Sequence, residues 1–467
     1  MSSSKLRSAL DKTIVAGLLL AIIFTPLALG TVESWSEALF ELLIVLLILL
    51  WAAKAIVERH LVFKFPPASL PLAGLVLLGL AQSIALTGSA GETSSLSMDV
   101  EATRGAVTTI FFLFLSFLIV TNFFNTPERL RTLATTLIIF GLALGVFALV
   151  QHFTWEGKMF WVRPMPIAGD GNAGPFVNRN HFAGYMEMLI PIPIALSFSR
   201  AVRGEARLFY GFAAAIMGIA EVASLSRGGL ASLAAGLFFL TAIIVWQKRS
   251  ARHSEGRSSF GLGPALMIVA MLAAIGAGVI WVGADLDVLR RMTNDPLTTG
   301  ANTDRPAVWR DAYSMFRSHP IAGTGLGTFE AVYPNYGHGN GTFVIQYAHN
   351  DYLQVLADGG VVGGALAIWF IIVIFRAFFR GLRSRDIFVS TFALGAGAGI
   401  IALLVHSLFD FNLQIPSNAL LFLVLSAAVS GIERRADDGV SDETVRTRRI
   451  RSDNRTKPPE IATGVGV

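Results

Sequence analysis

The chain has 467 residues, of which 53% are hydrophobic and only 15% charged, whereas soluble domains carry roughly 25% charged residues. This composition excludes an ordinary soluble fold, and the basic residues behind the net charge of +5 are too scattered to form a nucleic-acid-binding patch. The complete absence of cysteine excludes disulfide bonds, thiolate catalysis and cysteine metal sites.

Apolar segments of membrane-spanning length recur along the chain and predict an all-α polytopic membrane protein with about twelve transmembrane helices. The predicted spans are, in chain order, 13–30, 37–53, 68–86, 105–124, 132–152, 182–199, 208–224, 230–247, 261–283, 360–375, 387–408 and 417–432. Most of the 37 lysines and arginines fall on one side of this alternation, which the positive-inside rule assigns to the cytoplasm. The sequence therefore predicts a transmembrane domain over 1–432 with both termini cytoplasmic, followed by a disordered basic tail over 433–467.

Two long segments between spans are predicted on the non-cytoplasmic side, at about 153–181 and 284–359. The second contains apolar residues at helical spacing after Arg305, which predicts an amphipathic helix on the membrane surface. The glycines of Gly323–Gly327 predict a flexible turn, and a nucleotide-binding interpretation is weak because no strand precedes them. A short helix over His349–Ala357 is predicted before a break at Gly359 and Gly360.

Ionisable side chains inside apolar spans are costly and usually mark function. In this chain they fall near the predicted outer ends of the spans: Glu41, Glu187, Glu221, His406 and Asp410. Arg227 lies in a short glycine-containing turn between two spans at the same side. These residues predict an outward cavity, the alternative being side chains that merely reach the membrane interface. A transporter would instead need polar groups near the middle of the membrane.

The predicted outer segments are rich in arginine, including Arg179, Arg305 and Arg310, and hold Lys158 as their lysine. The planar fork of arginine suits phosphate oxygens, so the pattern favours a phosphorylated ligand carried on a lipid. A histidine on this side is a candidate general base for a sugar hydroxyl, although a lone histidine is more often structural. The candidates are His152, His181, His319, His338, His349 and His406.

Four groups of residues resemble the O-antigen ligase and Wzy-type polymerase superfamily. They are Gly174–Ala183, Ser224–Gly229, Arg305–Phe329 and Ala348–Gly363. The resemblance implies a GT-C-like membrane enzyme of the bacterial inner membrane that transfers a glycan from undecaprenyl diphosphate on the periplasmic face. It also implies that the transfer needs neither a metal nor another cofactor.

The resemblance assigns a role to individual positions of this sequence. His349 falls on the family's general base, and Arg227 and Arg305 fall on the family's arginines, which are expected to bind the diphosphate. Arg310, from the same arginine-rich segment as Arg305, is a further expected diphosphate-binding residue. Glycan-binding side chains are expected among Asn178, Arg179, Asn180 and Gln354, although an asparagine near the end of a span equally serves as a helix cap. Glu187, Glu221 and Asp410 are the expected carboxylates of the cavity.

The resemblance does not choose between branches of the superfamily. The favoured expectation is an O-antigen ligase-like enzyme with a lipid A-core, or another glycan or protein, as acceptor. The alternatives are a Wzy-type O-antigen or exopolysaccharide polymerase, a protein O-oligosaccharyltransferase and, from another class, a lipid-linked glycan flippase or other transporter. The last would require polar groups deep in the membrane, and the cytoplasmic halves of the spans hold almost none.

Overall fold

The computed structural model of the protein describes residues 3–87, 93–164, 174–255, 305–337 and 344–431. The helices are, in chain order, α1 Ser3–Leu27, α2 Ser34–Glu58, α3 Ser69–Gln82, α4 Val100–Phe123, α5 Pro127–Phe153, α6 Arg179–Leu189, α7 Pro191–Phe198, α8 Glu205–Ala223, α9 Arg227–Glu255, α10 Arg305–Ser318, α11 Phe329–Val332, α12 Asp351–Gly381, α13 Ile387–His406 and α14 Pro416–Gly431. Two short antiparallel strand pairs join them: β1 Ala85–Thr87 with β2 Thr93–Ser95, and β3 Lys158–Met159 with β4 Arg163–Pro164.

The helices confirm the prediction of an all-α polytopic membrane protein. Among the described residues, nine helical segments are long and apolar enough to cross a membrane, with α6 and α7 taken as one segment, and α3 and α14 are shorter apolar helices. Every predicted span coincides with one of these segments except 261–283, which lies outside the described residues, as does the predicted tail over 433–467.

Two predicted spans differ from the helices that replace them. The third, 68–86, becomes α3, whose 14 residues rise roughly 21 Å, less than the roughly 30 Å hydrocarbon core of a bilayer. The sixth, 182–199, is divided between α6 and α7, because Pro191 lacks the N–H that would continue the hydrogen bonds of α6. A hydropathy scan detects neither feature, since both stretches remain apolar.

The helix α13 lies at the centre of the bundle and packs against α6, α7 and α9. A Cβ atom at Gly399 would lie 2.3 Å from the carbonyl oxygen of Met188, and one at Gly395 would lie 2.7 Å from the Cα of Ile192. These small residues therefore let α13 approach the α6–α7 segment at backbone distance, as is common between membrane helices. The close packing brings the end of α13 beside the beginning of α6.

The helix α10 confirms that a helix with an apolar side follows Arg305, whereas its predicted place on the membrane surface stays a prediction. Its apolar side is covered by the protein itself, since Val308, Ala312 and Met315 form a small core with Phe329 and Tyr333. The Tyr333 hydroxyl donates a hydrogen bond to the buried Asp311 at 3.0 Å, which fixes α10 against the following turn. This core extends to Ala348 and Ala357, so α10 is anchored to the beginning of α12.

The helix α12 is kinked where the break was predicted, because Gly360 has φ 61° and ψ −159°. The kink frees backbone groups of α12, and the turn after α10 pairs with them. Thr324 N donates to Ala357 O at 3.0 Å, Gly325 N to Asp358 O at 3.0 Å, and Val361 N to Pro320 O at 2.8 Å. The turn predicted to be flexible is thus held by a continuous set of backbone hydrogen bonds.

Candidate active site at the loop end of the helix bundle

The predicted site residues come from distant parts of the sequence and gather at one end of the bundle. We call this the loop end; there α6, α9 and α12 begin and α8 and α13 finish. Asp410, four residues beyond α13, accepts a hydrogen bond from Asn180 Nδ2 of α6 at 2.5 Å. Contacts of this kind show that segments more than 200 residues apart meet at the loop end.

Asp410 is the centre of a group of polar side chains that we call the Asp410 cluster, with Asn180, His181, Arg305 and His349. Its Oδ1 lies 3.4 Å from His349 Nδ1 and 4.0 Å from His181 Nε2, and its Oδ2 lies 3.8 Å from an Arg305 guanidinium nitrogen. The Asp410 side chain is only 1% exposed. A single buried carboxylate therefore faces two histidines, an arginine and an amide.

The charge state of Asp410 follows from these neighbours. Burial raises the pKa of its carboxyl, but the contact with His349 and the nearby imidazoles of His181, His349 and His406 oppose burial and lower the pKa below its ordinary value. Asp410 is therefore ionised at neutral pH. A carboxylate beside Nδ1 of an imidazole favours the tautomer with the proton on that nitrogen, which leaves Nε2 of His349 as the proton acceptor.

The His349 side chain is 22% exposed, so the ring reaches from the buried carboxylate to the surface of the cluster. Phe411 packs edge to face against both histidines, with ring centroids 4.9 Å from His349 and 4.7 Å from His181. Its other close neighbour is Tyr347, which stacks on it at 4.4 Å. The aromatic ring thus limits how far either imidazole can rotate away from Asp410.

The backbone around His349 is fastened to the segment that carries Asp410. Asn350 caps α12, with its Oδ1 accepting from the N–H groups of Tyr352 and Leu353, and its Nδ2 donates to Leu408 O at 3.1 Å. The buried carboxylate of Asp351 accepts from the Ser407 hydroxyl at 2.7 Å and from Leu413 N at 3.1 Å. These bonds lie on both sides of Asp410 in the chain and explain why His349 meets it.

A second buried pair lies beside the beginning of α9. His406 Nδ1 contacts the Glu187 carboxylate at 3.1 Å, and both side chains are at most 1% exposed. A Cβ atom at Gly228 would lie 2.8 Å from His406 Nε2, so the first turn of α9 rests directly on this ring. The pair therefore lies under the backbone that presents Arg227.

Arg227 is the first residue of α9, at the boundary of the turn in which it was predicted, and its side chain is exposed. Leu225 in that turn has φ 57°, and Ser226 Oγ accepts from Gly229 N at 3.1 Å, as a helix cap does. Glu221, at the end of the preceding helix, is fully buried, and neither carboxylate oxygen has a hydrogen-bond partner among the described residues.

Three predicted residues occupy positions that suggest structural contacts. Asn178 caps α6, since its side chain accepts from Asn180 N at 2.8 Å, and Arg179 is the first residue of that helix. Gln354 is 1% exposed, and both ends of its amide already have protein partners, Ala348 N and the Asp358 carboxylate. Their expected glycan-binding roles stay predictions.

Arg310 points differently from Arg305, although both belong to α10. Five residues of an α-helix turn through about 140° beyond a full revolution, so the two arginines leave the helix on different sides. Arg310 is exposed, and its guanidinium donates to the carbonyl of Pro306 in its own helix at 3.4 Å. The geometry accordingly brings Arg305, and not Arg310, to the Asp410 carboxylate.

No local signal in the sequence distinguishes three residues of the site from comparable residues elsewhere in the chain. His181 was one of several candidate histidines, Asp410 one of several carboxylates, and Phe411 was not singled out. Their importance depends on contacts between α6, α12 and the segment after α13, and such contacts have no counterpart in residue spacing.

Part of the chain matches a known protein family. Residues 212–368 match the family model Wzy_C, which is described as O-antigen ligase. The matched segment contains Arg227, Arg305 and His349, whereas Asn180 and Asp410 lie outside it. The match confirms the resemblance over the three groups of residues that lie within this segment, and Gly174–Ala183 lies outside it. No curated protein matches the chain.

Proposed function

We propose that the protein, whose residues 212–368 match the O-antigen ligase family model, is an O-antigen ligase-like glycosyltransferase. It transfers a glycan from undecaprenyl diphosphate to an acceptor hydroxyl on the periplasmic face of the inner membrane. The observation that carries the proposal is the pairing of His349 with the buried Asp410 beside Arg305, at 3.4 Å and 3.8 Å. General glycan transfer agrees with the family; donor, acceptor and orientation are our inference.

In the proposed reaction the acceptor hydroxyl attacks the anomeric carbon of the donor glycan. The new bond joins the acceptor oxygen to that carbon, and the bond between the carbon and the diphosphate oxygen breaks. His349 takes the hydroxyl proton on Nε2, while Asp410 holds the opposite side of the ring and stabilises the imidazolium that forms. The leaving undecaprenyl diphosphate keeps the electron pair.

The arginines act on the leaving group. Negative charge grows on the diphosphate oxygens as the bond breaks, and guanidinium groups already in place stabilise that charge more than the ground state. Arg305 supplies one guanidinium from α10, and we assign the second to Arg227 at the beginning of α9. Asn180 has a different task, since its amide donates to Asp410 and keeps that carboxylate directed at His349.

The acceptor is inferred from the branch of the family that we favour. A ligase moves a finished chain to lipid A-core or another carrier, whereas a polymerase uses one lipid-linked unit as acceptor for the next. The matching family model is described as O-antigen ligase, which supports the first. Neither branch changes the proposed roles of the base and the arginines.

Lipid-linked glycans extracted from a deletion strain test the function. Loss of a ligase should leave long glycans on undecaprenyl diphosphate, which disappear when the wild-type gene is restored but persist with His349→Ala. Single repeats without long chains would assign the protein to the polymerase branch. Unchanged lipid-linked glycans of every length would contradict glycan transfer by this protein.

The proposed orientation is tested with introduced cysteines, since the chain has none of its own. Asn335→Cys lies beyond α11 near the loop end, and Arg385→Cys lies between α12 and α13 at the opposite end; both native side chains are exposed. An impermeant thiol reagent should label Asn335→Cys in intact spheroplasts and Arg385→Cys only after permeabilisation. The reverse pattern would place the Asp410 cluster in the cytoplasm and overturn the proposed location.

A further inference from the structure

A second buried polar group lies behind the Asp410 cluster, and we call it the Gln82 network. It consists of Gln82 at the end of α3 and of Gln354 and Asp358 in the first part of α12. The three side chains are 0%, 1% and 4% exposed. Buried polar side chains are usually retained with hydrogen-bond partners, so the partners of these three show what they hold. Among their polar atoms, Asp358 Oδ1 has no hydrogen-bond partner within the described residues.

Gln82 holds the turn that follows α10. Its Nε2 donates to Ala322 O at 2.5 Å and to Asp358 O at 3.0 Å, and its Oε1 accepts from Leu326 N at 3.0 Å. One amide thus joins α3, the turn and the kinked part of α12. The close approach requires glycine in the turn, because a Cβ at Gly323, where φ is 71°, would lie 2.3 Å from the Asp358 carbonyl.

Asp358 connects the turn to Gln354 through hydrogen bonds of its side chain. Its Oδ2 accepts from Gly327 N at 3.2 Å and from Gln354 Nε2 at 2.9 Å. Because the two side chains are four residues apart, they lie one turn from each other on the same face of α12. The second hydrogen bond fixes the Gln354 amide, so its oxygen points back toward the beginning of the helix.

The Gln354 oxygen reaches the residue before the proposed base. Gln354 Oε1 accepts from Ala348 N at 2.8 Å. His349 follows directly and has φ 49°, a left-handed conformation that a residue with a side chain seldom adopts without support from its surroundings. The bond to Ala348 and the capping residue Asn350 therefore support the strained residue from both sides.

We propose that Gln354, oriented by Asp358 and through it by Gln82, is a positioning residue for His349. It holds the backbone so that the imidazole faces Asp410, and it does not touch the substrate. The inference rests on the proposed function. It replaces the expectation that Gln354 binds the glycan, because the side chain is 1% exposed and both ends of its amide already bond within the protein.

The matched control is Gln151 at the end of α5. It is also 1% exposed, its Oε1 accepts from Phe160 N at 2.8 Å, and its Nε2 donates to Gly174 O at 2.7 Å. Gln354→Met and Gln151→Met thus remove the same side-chain groups at the same burial. A difference between the two variants is therefore due to the position of Gln354 beside Ala348 and not to the loss of a buried amide in general.

The test begins with hydrogen exchange of the purified full-length variants, which does not depend on activity. Gln354→Met should speed exchange at Ala348, in a peptide covering 344–353, while Gln151→Met should speed it at Phe160 and leave Ala348 protected. Asp358→Asn, which disturbs the partner of Gln354, serves if Gln354→Met does not accumulate. Unchanged protection of Ala348 in both network variants would overturn the positioning role.

Transfer from a purified lipid-linked donor is then measured with the same proteins. Gln354→Met should lower kcat about 10- to 100-fold with KM for the donor nearly unchanged, because a small displacement of a catalytic group acts on the chemical step. A rise in KM with unchanged kcat would instead return Gln354 to glycan binding. Absence of transfer by the wild-type protein would contradict the proposed function and leave the exchange result standing.

Discussion

Asp410 and Asp358 are both buried carboxylates near the loop end, yet their surroundings differ. Asp410, 1% exposed, faces His181, His349 and Arg305, groups that carry or exchange charge. Asp358, 4% exposed, accepts hydrogen bonds from a backbone N–H and from the amide of Gln354, which are neutral. Burial alone does not distinguish a carboxylate of the proposed active site from one of the scaffold, whereas the hydrogen-bond and charged partners do.

The two carboxylates also differ in whether their neighbours reach the surface of the protein. The neighbours of Asp410 include the ring of His349, which is 22% exposed and turns a second nitrogen away from the carboxylate. The hydrogen bonds around Asp358 lead instead to backbone N–H groups, that of Gly327 in the turn and, through Gln354, that of Ala348. We therefore expect substitutions around Asp410 to act on the reaction and those around Asp358 to act through the position of the chain.

The largest effect is expected at His349. His349→Ala removes the proton acceptor and should lower the transfer rate about 10²- to 10⁴-fold, the usual contribution of a general base. The variant should accumulate in the membrane at nearly the wild-type level, because the side chain is partly exposed and is not part of the core. Transfer is measured with purified protein and lipid-linked donor.

His152→Ala at the end of α5 is the control for this variant and should transfer at nearly the wild-type rate. A chelator should leave the wild-type rate unchanged. If His349→Ala retains full activity, another group must be the base; a loss that added metal reverses would require a metal in the reaction.

A smaller effect is expected from Asp410→Asn, which keeps the shape of the side chain and removes its charge. The asparagine amide no longer favours the productive tautomer of His349, and the loss in kcat should reach about 100-fold or more. A double variant with His349→Ala should be no slower than His349→Ala alone, because both changes remove one function. Additive losses would mean that Asp410 acts independently of His349.

The arginines come next. Arg305→Lys keeps the positive charge but loses the planar fork, and removal of one such donor to a developing anion costs about 10²- to 10³-fold. With the charge retained, we expect a loss at the lower end of that range, for Arg227→Lys as well. Arg317→Lys in the last turn of α10 is the control, and an equal loss there would indicate a general effect of replacing arginine by lysine in this region and not the loss of a specific donor to the diphosphate.

Much of the fold was predictable because a bilayer imposes a simple rule on sequence. Apolar runs of sufficient length become helices, and the break at Gly360 and the helix after Arg305 followed from glycine and from helical spacing. The short α3 and the division at Pro191 were not predicted. Hydropathy measures apolar content, so it detects neither the end of α3 within an apolar stretch nor the break at Pro191, which lacks a backbone N–H.

The site was predictable in membership but not in arrangement. His349, Arg305 and Asp410 were candidates individually, from family resemblance or from charge near the end of a span. Their convergence on one carboxylate depends on the close packing of α13 against the α6–α7 segment. For Gln354 the sequence suggested a different role from the structure. Its place in Ala348–Gly363, which resembles the family, suggested glycan binding, whereas its two hydrogen bonds indicate a role in positioning.

The smallest effect is expected for an exposed carboxylate that extends the comparison beyond the buried pair. Glu33, between α1 and α2, accepts hydrogen bonds from Arg163 of β4 and from Trp35 Nε1, and these bonds lower its pKa. The two side chains of the ion pair are 29% and 44% exposed, so solvent screens it and Arg163→Ala should lower the unfolding free energy by less than about 1 kcal/mol.

The pH dependence of this small effect has a definite sign. Since the pKa of Glu33 is lower in the folded protein, the contribution is present above its ordinary value of about 4.3 and is lost as the pH falls through the folded value. Thermal unfolding of wild type and Arg163→Ala in detergent should therefore differ slightly at pH 7, and the difference should shrink as the pH falls below the ordinary pKa of Glu33. A difference that persists in acid would show that Arg163 stabilises the segment through packing and not through charge.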